Sequence, residues 1–255
     1  MTSHTAYFDA SGDKGSAMLT VGGYISLAES WSAFDTEWQA VLSKAKVPYF
    51  HRKKFTANRA PFSNKKWERE HTRKAFLNSL IGIIARNVDF CVLNILPIQD
   101  WVAVNREFFM EEERLSPFAV TGCMAITSTY EWCRTQGVPY NKVEFIFEDG
   151  DNDKGDFEYW SKKAFGMKPL FKGKSADRHD PHQRPVTPLQ ACDFIAGEAR
   201  CAETALDNRE NNAGPYEFRC CFEELLDRTK SHDKNEKWNK DNLRKLCEKQ
   251  GIKKR

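Results

Sequence analysis

The chain has 255 residues, of which 40% are hydrophobic and 29% are charged, and its formal net charge is +3. These proportions exclude collagen-like and wholly disordered proteins, and the length allows a substantial hydrophobic core. The charge is uneven, because residues 228–255 hold 11 Lys and Arg against 4 Asp and Glu. We therefore expect one α/β domain, residues 1–206, followed by a basic helical C-terminal extension, residues 207–255, which suits phosphate binding or is simply a solvated helix.

The first elements are predicted from short hydrophobic patterns. Residues 5–8 and 18–25 are apolar and rich in strand-forming residues, and the segment DASGDKGS between them predicts a β-hairpin. Apolar and aromatic residues recur at spacings of three and four over residues 29–46, which predicts an amphipathic helix that packs on the sheet. The segment VPYFHRKKF, residues 47–55, is a short strand or a loop, and a second helix is predicted over residues 66–86.

The later elements alternate between strands and helices. The run VDFCVLNIL, residues 88–96, predicts a buried strand, and Ser116 with Pro117 predicts the start of a helix that ends near residue 136. The segment KVEFIF, residues 142–147, predicts another strand. The chain is then polar and predicted to be loop-rich as far as residue 188, before a last helix over residues 189–205.

Acidic residues follow the ends of these elements. They are Asp9 and Asp13 after the first strand, Glu148, Asp149 and Asp151 after a later strand, and Asp193 in the last helix. Loops at the carboxyl ends of strands can converge on a ligand, and close carboxylates favour a divalent cation such as Mg²⁺ or Mn²⁺. Taken singly, an acid such as Asp13 or Asp151 is more often a turn residue, whereas Asp193 lies among apolar residues where a charge needs a partner.

Three motifs resemble a known family. The segments Y-F-D-A-S-G-D, Y-F-H and L-Q-A-C-D-F-I-A-G, within residues 5–205, resemble the domain of unknown function 3800 (DUF3800) family, which is regarded as ribonuclease H-like. The resemblance implies a mixed β-sheet flanked by helices, with Asp9 and Asp193 as metal ligands and either Glu148 or Asp149 between them. His51 matches the histidine of the family.

Two positions depart from the family pattern. The family commonly has glutamate where this chain has Ala10, and alanine where it has Cys192. The cysteine is a conservative change. The missing carboxylate leaves the number of bound metal ions open.

A basic segment follows His51. Six of its residues carry positive charge and none is acidic: Arg52, Lys53, Lys54, Arg59, Lys65 and Lys66. Phe55 and Phe62 lie among them, so the segment predicts a nucleic-acid interface in which cations hold phosphates and exposed rings stack on bases. The alternative is a solvated loop whose aromatic side chains are buried in the core.

Histidines and one amide are further candidates. His51 could be a general acid or base, a metal ligand, or a histidine at the edge of the core. His179 and His182, which flank Asp180, could help to position a metal ion or a phosphate, or belong to a polar loop. Gln190 in the last motif could support the ligands from outside the metal coordination.

Other patterns limit the location and the chemistry. No run approaches the ~18 apolar residues of a membrane span, and the first residues do not resemble a signal peptide, so we expect a cytoplasmic protein with no membrane partner. None of the eight cysteines forms a C-x-x-C pair, which favours reduced thiols over disulfides or zinc ligands. The sequence also lacks the P-loop, serine-hydrolase and zincin motifs.

These observations lead to one hypothesis and one alternative. We expect a Mg²⁺- or Mn²⁺-dependent nuclease, or a related phosphoryl-transfer enzyme, that acts on RNA or DNA through Asp9, His51, Glu148 and Asp193. The alternative is a non-catalytic nucleic-acid- or protein-binding module on the same fold. The sequence does not indicate the oligomeric state.

Overall fold

The structure is a computed structural model that describes residues 3–173, 186–210, 219–229 and 235–255. Its strands are β1 (His4–Ser11), β2 (Met18–Leu27), β3 (Phe90–Pro97), β4 (Val143–Glu148), β5 (Leu170–Lys172) and β6 (Asn235–Lys237). Its helices are α1 (Ala28–Ala45), α2 (Arg52–Thr56), α3 (Glu70–Asn87), α4 (Ile98–Glu107), α5 (Pro117–Gln136), α6 (Lys154–Phe165), α7 (Thr187–Glu210), α8 (Arg219–Arg228) and α9 (Lys240–Gln250). The chain is therefore of the α/β class, as predicted.

The strands form a mixed sheet of six strands in the order β5-β4-β1-β2-β3-β6. The central strand β1 is antiparallel to β2 and parallel to β4. Strand β3 is antiparallel to β2, while β5 and β6 are parallel to β4 and β3. The predicted hairpin of β1 and β2 is confirmed, and it forms the middle of the sheet.

Helices cover both faces of the sheet. On one face, a first hydrophobic core lies between the sheet and α4, α5, α6 and α9, and it includes Phe8, Phe147 and Phe157. On the other face, a second core lies beneath α1, α3 and α7, and it includes Trp38 and Phe194. Two such layers bury both sides of the central strands, which accounts for their nearly continuous apolar sequences.

Two predicted helices are confirmed, together with the sequence features that predicted them. Helix α1 buries Trp31, Phe34, Trp38 and Leu42, the residues whose spacing predicted it. Helix α5 begins after Ser116, whose side chain accepts a hydrogen bond from the backbone N–H of Ala119, and it ends at Gly137 in the left-handed conformation. The spacing and the cap thus fix these helices locally.

Two parts of the sequence interpretation need correction. The segment between residues 149 and 188 was expected to be loop-rich, but it contains α6 and β5. Helix α6 was missed because only Phe157, Trp160 and Ser161 are buried in a sequence that is otherwise polar. Residues 47–51 form a loop that leads into α2, which begins at Arg52, and α4 was not predicted.

The C-terminal part of the chain contributes to the same sheet and core. Strand β6 pairs with β3, and α9 buries Leu243 and Cys247 in the first core. The predicted boundary between residues 206 and 207 lies inside α7. Basic side chains of this part pair with acids of the body, as in the ion pair between Arg244 and Glu107 at 2.7 Å. None of the helices in the described ranges is both long and apolar enough to cross a bilayer.

Candidate functional site

The sheet places Asp9 beside Glu148. Phe8 of β1 pairs with Phe147 of β4 in the parallel register, so the next residues, Asp9 and Glu148, lie side by side at the carboxyl ends of the two strands. The rings of Phe8 and Phe147 stack at 4.9 Å in the first core. Because side chains alternate along a strand, Asp9 and Glu148 face the opposite side of the sheet, where α7 packs on β1 and β2. Adjacent strands are about 4.8 Å apart, so the backbones of the two residues are direct neighbours.

A glycine allows α7 to approach Asp9. Asp9 pairs with Gly22 of β2, and a Cβ atom at Gly22 would lie 3.0 Å from the backbone nitrogen of Ala196 in α7. The Oγ1 atom of Thr20 donates a hydrogen bond of 2.7 Å to the carbonyl oxygen of Ala196. The helix therefore lies directly on β2 beside the carboxylate, which is itself only 2% exposed.

The buried thiol of Cys192 lies in the electrostatic field of the Asp9 and Glu148 carboxylates. Its thiol is buried and donates a hydrogen bond of 3.1 Å to the carbonyl oxygen of Tyr7. Burial raises the pKa of Cys192 well above its usual value, and the charges of Asp9 and Glu148 raise it further. The thiol is therefore neutral at physiological pH, and its neighbourhood is negative.

Asp193 holds the loop that carries His51. Its Oδ2 atom accepts a hydrogen bond of 2.6 Å from the backbone N–H of Arg52, and it lies 3.2 Å from Nδ1 of His51. The Asp193 side chain is 12% exposed and that of His51 is 29% exposed. The partner that the sequence predicted for the charge of Asp193 is thus found at the start of α2.

Gln190 supports the same loop. Its Oε1 atom accepts hydrogen bonds from Nε1 of Trp38 at 3.0 Å and from the backbone N–H of Phe50 at 2.8 Å. Both donors are buried, so the amide fixes the backbone next to His51. The residue was expected to support the metal ligands, and the contact that the structure gives it is to the histidine loop.

The structure separates Glu148 from Asp149. The side chain of Asp149 forms an ion pair of 2.8 Å with Lys154 of α6 and is 53% exposed. Helix α6 covers the face of the sheet opposite α7, so Asp149 points away from Asp9. Glu148 is the member of the pair that shares a face with Asp9.

Asp13 and Asp151 lie at the rim of the sheet. The Oδ1 atom of Asp13 accepts hydrogen bonds from the hydroxyl of Ser16 and the backbone N–H of Gly15, and these bonds lower the pKa of Asp13. Asp13 is thus a turn residue of the hairpin. Both acids line a cavity of about 430 Å³ next to the start of α6. His179 and His182 lie outside the described residues.

The structure differs from the predicted nucleic-acid interface at two points, while the interface itself stays a prediction. Phe55 and Phe62 are 2% and 0% exposed and belong to the second core, so neither ring is available to stack on a base. The side chain of Arg52 is buried, and its Nε donates a hydrogen bond of 2.8 Å to Glu198. These side chains turn inward because α2 packs against α7.

The remaining cations of the segment stay at the surface. Lys53, Arg59 and Lys65 are exposed, whereas Lys54 and Lys66 are half-buried. The ammonium group of Lys54 contacts the Tyr49 ring, and that of Lys66 donates to a backbone carbonyl. Three exposed cations therefore remain in the segment that follows His51.

Sequence reasoning missed the pairing of Arg52 with Glu198. The argument that singled out Asp193, an acid on a largely apolar helix, applies equally to Glu198 in the same helix. Burial raises the pKa of Glu198, and the guanidinium of Arg52 opposes that rise.

The donors at this site are oxygen atoms, the kind that Mg²⁺ and Mn²⁺ prefer. Among the described residues, no three or more His, Cys, Asp or Glu side chains already form a group that could hold a metal ion. The residues thus fit a divalent cation in chemistry, and their side chains would have to draw together around it.

The free cysteines among the described side chains are Cys91, Cys123, Cys133, Cys192, Cys201 and Cys247.

Comparison with known proteins adds no relative, because no family model, no curated protein and no solved structure matches the chain.

Proposed function

We propose that this protein is a Mg²⁺- or Mn²⁺-dependent nuclease, or a related phosphoryl-transfer enzyme, that acts on RNA or DNA. The observation that carries the proposal is the position of Asp9 and Glu148, side by side at the carboxyl ends of β1 and β4, with the helix that bears Asp193 packed on β1. Ligands of open α/β sheets collect at such ends.

Membership of the DUF3800 family and a ribonuclease H-like fold are part of the same proposal. The motif resemblance implies a mixed β-sheet flanked by helices. The sheet is mixed, because β1 is antiparallel to β2 and parallel to β4. The topology therefore supports the motif resemblance.

Asp9, Glu148 and Asp193 would hold the cation. A bound Mg²⁺ or Mn²⁺ supplies charge stabilisation for the attacking and leaving oxygens of a phosphodiester. Neighbouring carboxylates repel each other, and neutralisation by a cation would relieve that repulsion. The neutral thiol of Cys192 adds no further negative charge.

His51 would handle the proton. Its Nδ1 lies 3.2 Å from Oδ2 of Asp193, and the ring would present Nε2 to a substrate. The ring is partly exposed, as a group that exchanges protons with substrate or water must be. Exposed cations, such as Lys53 and Arg59, would hold backbone phosphates next to it.

One observation favours a second function. No ready-made group of metal donors exists among the described residues, which is what a non-catalytic nucleic-acid- or protein-binding module on this fold would show. Such a module would bind its partner without a divalent cation and would not depend on Asp9.

The test compares Asp9→Asn with Asp149→Asn, since both remove one carboxylate charge at the same edge of the sheet. Mn²⁺ binding is measured by calorimetry, and cleavage is measured on single-stranded and duplex RNA and DNA. We expect Asp9→Asn to lower Mn²⁺ affinity at least tenfold and to abolish cleavage, while Asp149→Asn stays within twofold of wild type. Circular dichroism checks that both variants fold. Wild-type protein that binds nucleic acid equally well in EDTA and cuts none of these substrates would establish the binding module instead.

A further inference from the structure

Arg52 connects two acids of α7. Its backbone N–H donates to Oδ2 of Asp193 at 2.6 Å, and its side-chain Nε donates to Oε1 of Glu198 at 2.8 Å. Arg52 is 8% exposed and Glu198 is 2% exposed, so the ion pair lies inside the protein. A single residue thus joins a proposed metal ligand to an acid further along the same helix.

The surface of α7 is shaped for this arginine. A Cβ atom at Gly197 would lie 2.6 Å from Cδ of Arg52, so only glycine leaves room for the arginine stem across the helix. Gln190, Asp193 and Gly197 follow one another at spacings of three and four and therefore share one face of α7. The chain from residue 50 to residue 52 is bonded along that face.

The ion pair is poorly suited to a purely stabilising role. Removing two charges from water costs about as much as their attraction returns, and well-packed apolar residues often serve stability equally well. Burial raises the pKa of Glu198, and its Oε2 atom has no hydrogen-bond partner within the described part of the chain. The pair instead fixes the position of α2, because Arg52 can reach Glu198 only when the start of α2 lies on α7.

We propose that the ion pair between Arg52 and Glu198 is a positioning device that holds the backbone N–H of Arg52 and the imidazole of His51 against Asp193. Its importance for catalysis rests on the proposed function. Its effect on the loop does not, because the hydrogen bond to Asp193 is made between groups of the chain itself.

The test uses the hydrogen-exchange rate of the backbone amide at position 52, measured by NMR on metal-free protein. Glu198→Gln removes the charge, and the double variant Arg52→Met with Glu198→Leu removes the pair without leaving a buried charge. Glu203→Gln is the control, since it makes the same change in α7 at an acid that pairs with Lys237 at 2.8 Å. The amide of Phe50, bonded to Gln190, is the internal reference.

We expect the amide at position 52 to exchange at least tenfold faster in Glu198→Gln and in the double variant, with Phe50 changed less than twofold and no change in Glu203→Gln. Equal acceleration of amide exchange at positions 50 and 52 would mean that the ion pair only stabilises the fold in general. That result would overturn the proposal. A double variant that folds and keeps the wild-type rate at position 52 would also overturn it. If Glu198→Gln does not fold, the double variant decides.

A second measurement separates this inference from the proposed function. If wild-type protein cleaves nucleic acid, the double variant should lower kcat at least tenfold with little change in KM, because the exposed cations that hold the polymer are intact. If wild-type protein neither binds Mn²⁺ nor cleaves, the proposed function fails. The amide result still decides whether the pair positions the loop.

Discussion

Gly22→Ala should weaken the contact that brings α7 over the candidate site. The added methyl group would lie 3.0 Å from the backbone nitrogen of Ala196, 3.1 Å from its Cα and 3.1 Å from Cγ2 of Ile195. Two of these atoms belong to the helix backbone, which cannot rotate away as a side chain can. The helix must therefore move off β2 by several tenths of an ångström, directly opposite Asp9.

The expected cost follows from overpacking a close-packed interface. One extra carbon in such a contact destabilises by about 1–3 kcal/mol. The hydrogen bond from Thr20 to the carbonyl of Ala196 would lengthen with the same movement. We therefore expect the free energy of unfolding to fall by about 2 kcal/mol, within that range.

Urea unfolding followed by circular dichroism measures the effect, with Gly82→Ala as the matched control. Gly82 lies inside α3, and its added methyl group would meet the flexible ends of Arg86 at 3.2 Å and of Arg228 at 3.9 Å. Alanine there gains helix propensity of up to about 1 kcal/mol, so the same substitution should be neutral or stabilising. A Gly22→Ala variant as stable as wild type would refute the close approach of α7 to β2.

Three further predictions test single features of the fold. Ser116→Ala removes the cap of α5 and should lower the free energy of unfolding, measured by chemical denaturation, by about 1 kcal/mol. An unchanged free energy of unfolding would show that the cap does not stabilise the helix. Phe62→Ala should cost about 3–5 kcal/mol because the ring is fully buried, whereas a ring exposed for base stacking would cost under about 0.5 kcal/mol. Burial raises the pKa of Cys123 to about 12, so its thiolate is scarce at pH 8 and iodoacetamide labelling of folded protein should accelerate only as the pH rises toward 12. Rapid labelling of Cys123 at pH 8, mapped by mass spectrometry, would contradict that prediction.

The sequence predicted those parts of the fold that depend on local patterns. The hairpin, α1 and α5 each carry their own signal, in alternation, in spacing at three and four, or in a cap with a proline. Helix α6 was missed because its apolar face is narrow in a polar sequence, and its stability depends on contacts with α5 that only the folded chain makes. Short helices of this kind are stabilised by packing more than by propensity.

The candidate site was predictable as a set of acids and not as an arrangement. Alternation along β4 does not decide between Glu148 and Asp149 until the register with β1 is known, since either could face α7. The basic segment left two alternatives open for a related reason. Composition counts Arg52 and Phe55 as surface groups, whereas the turn into α2 directs both side chains into the protein.

The C-terminal part of the chain shows how far charge alone can mislead. Arg244 lies between Glu107 and Asp241, yet these side chains are exposed, and exposed ion pairs contribute little because water and side-chain entropy offset them. Leu243 is fully buried in the first core, and its truncation to alanine should cost about 2–5 kcal/mol. We therefore expect Leu243→Ala to destabilise the protein far more than Arg244→Ala in urea unfolding. The opposite order would mean that ion pairs hold α9 in place. Only then would the positive charge of this part explain why it packs on the rest of the chain.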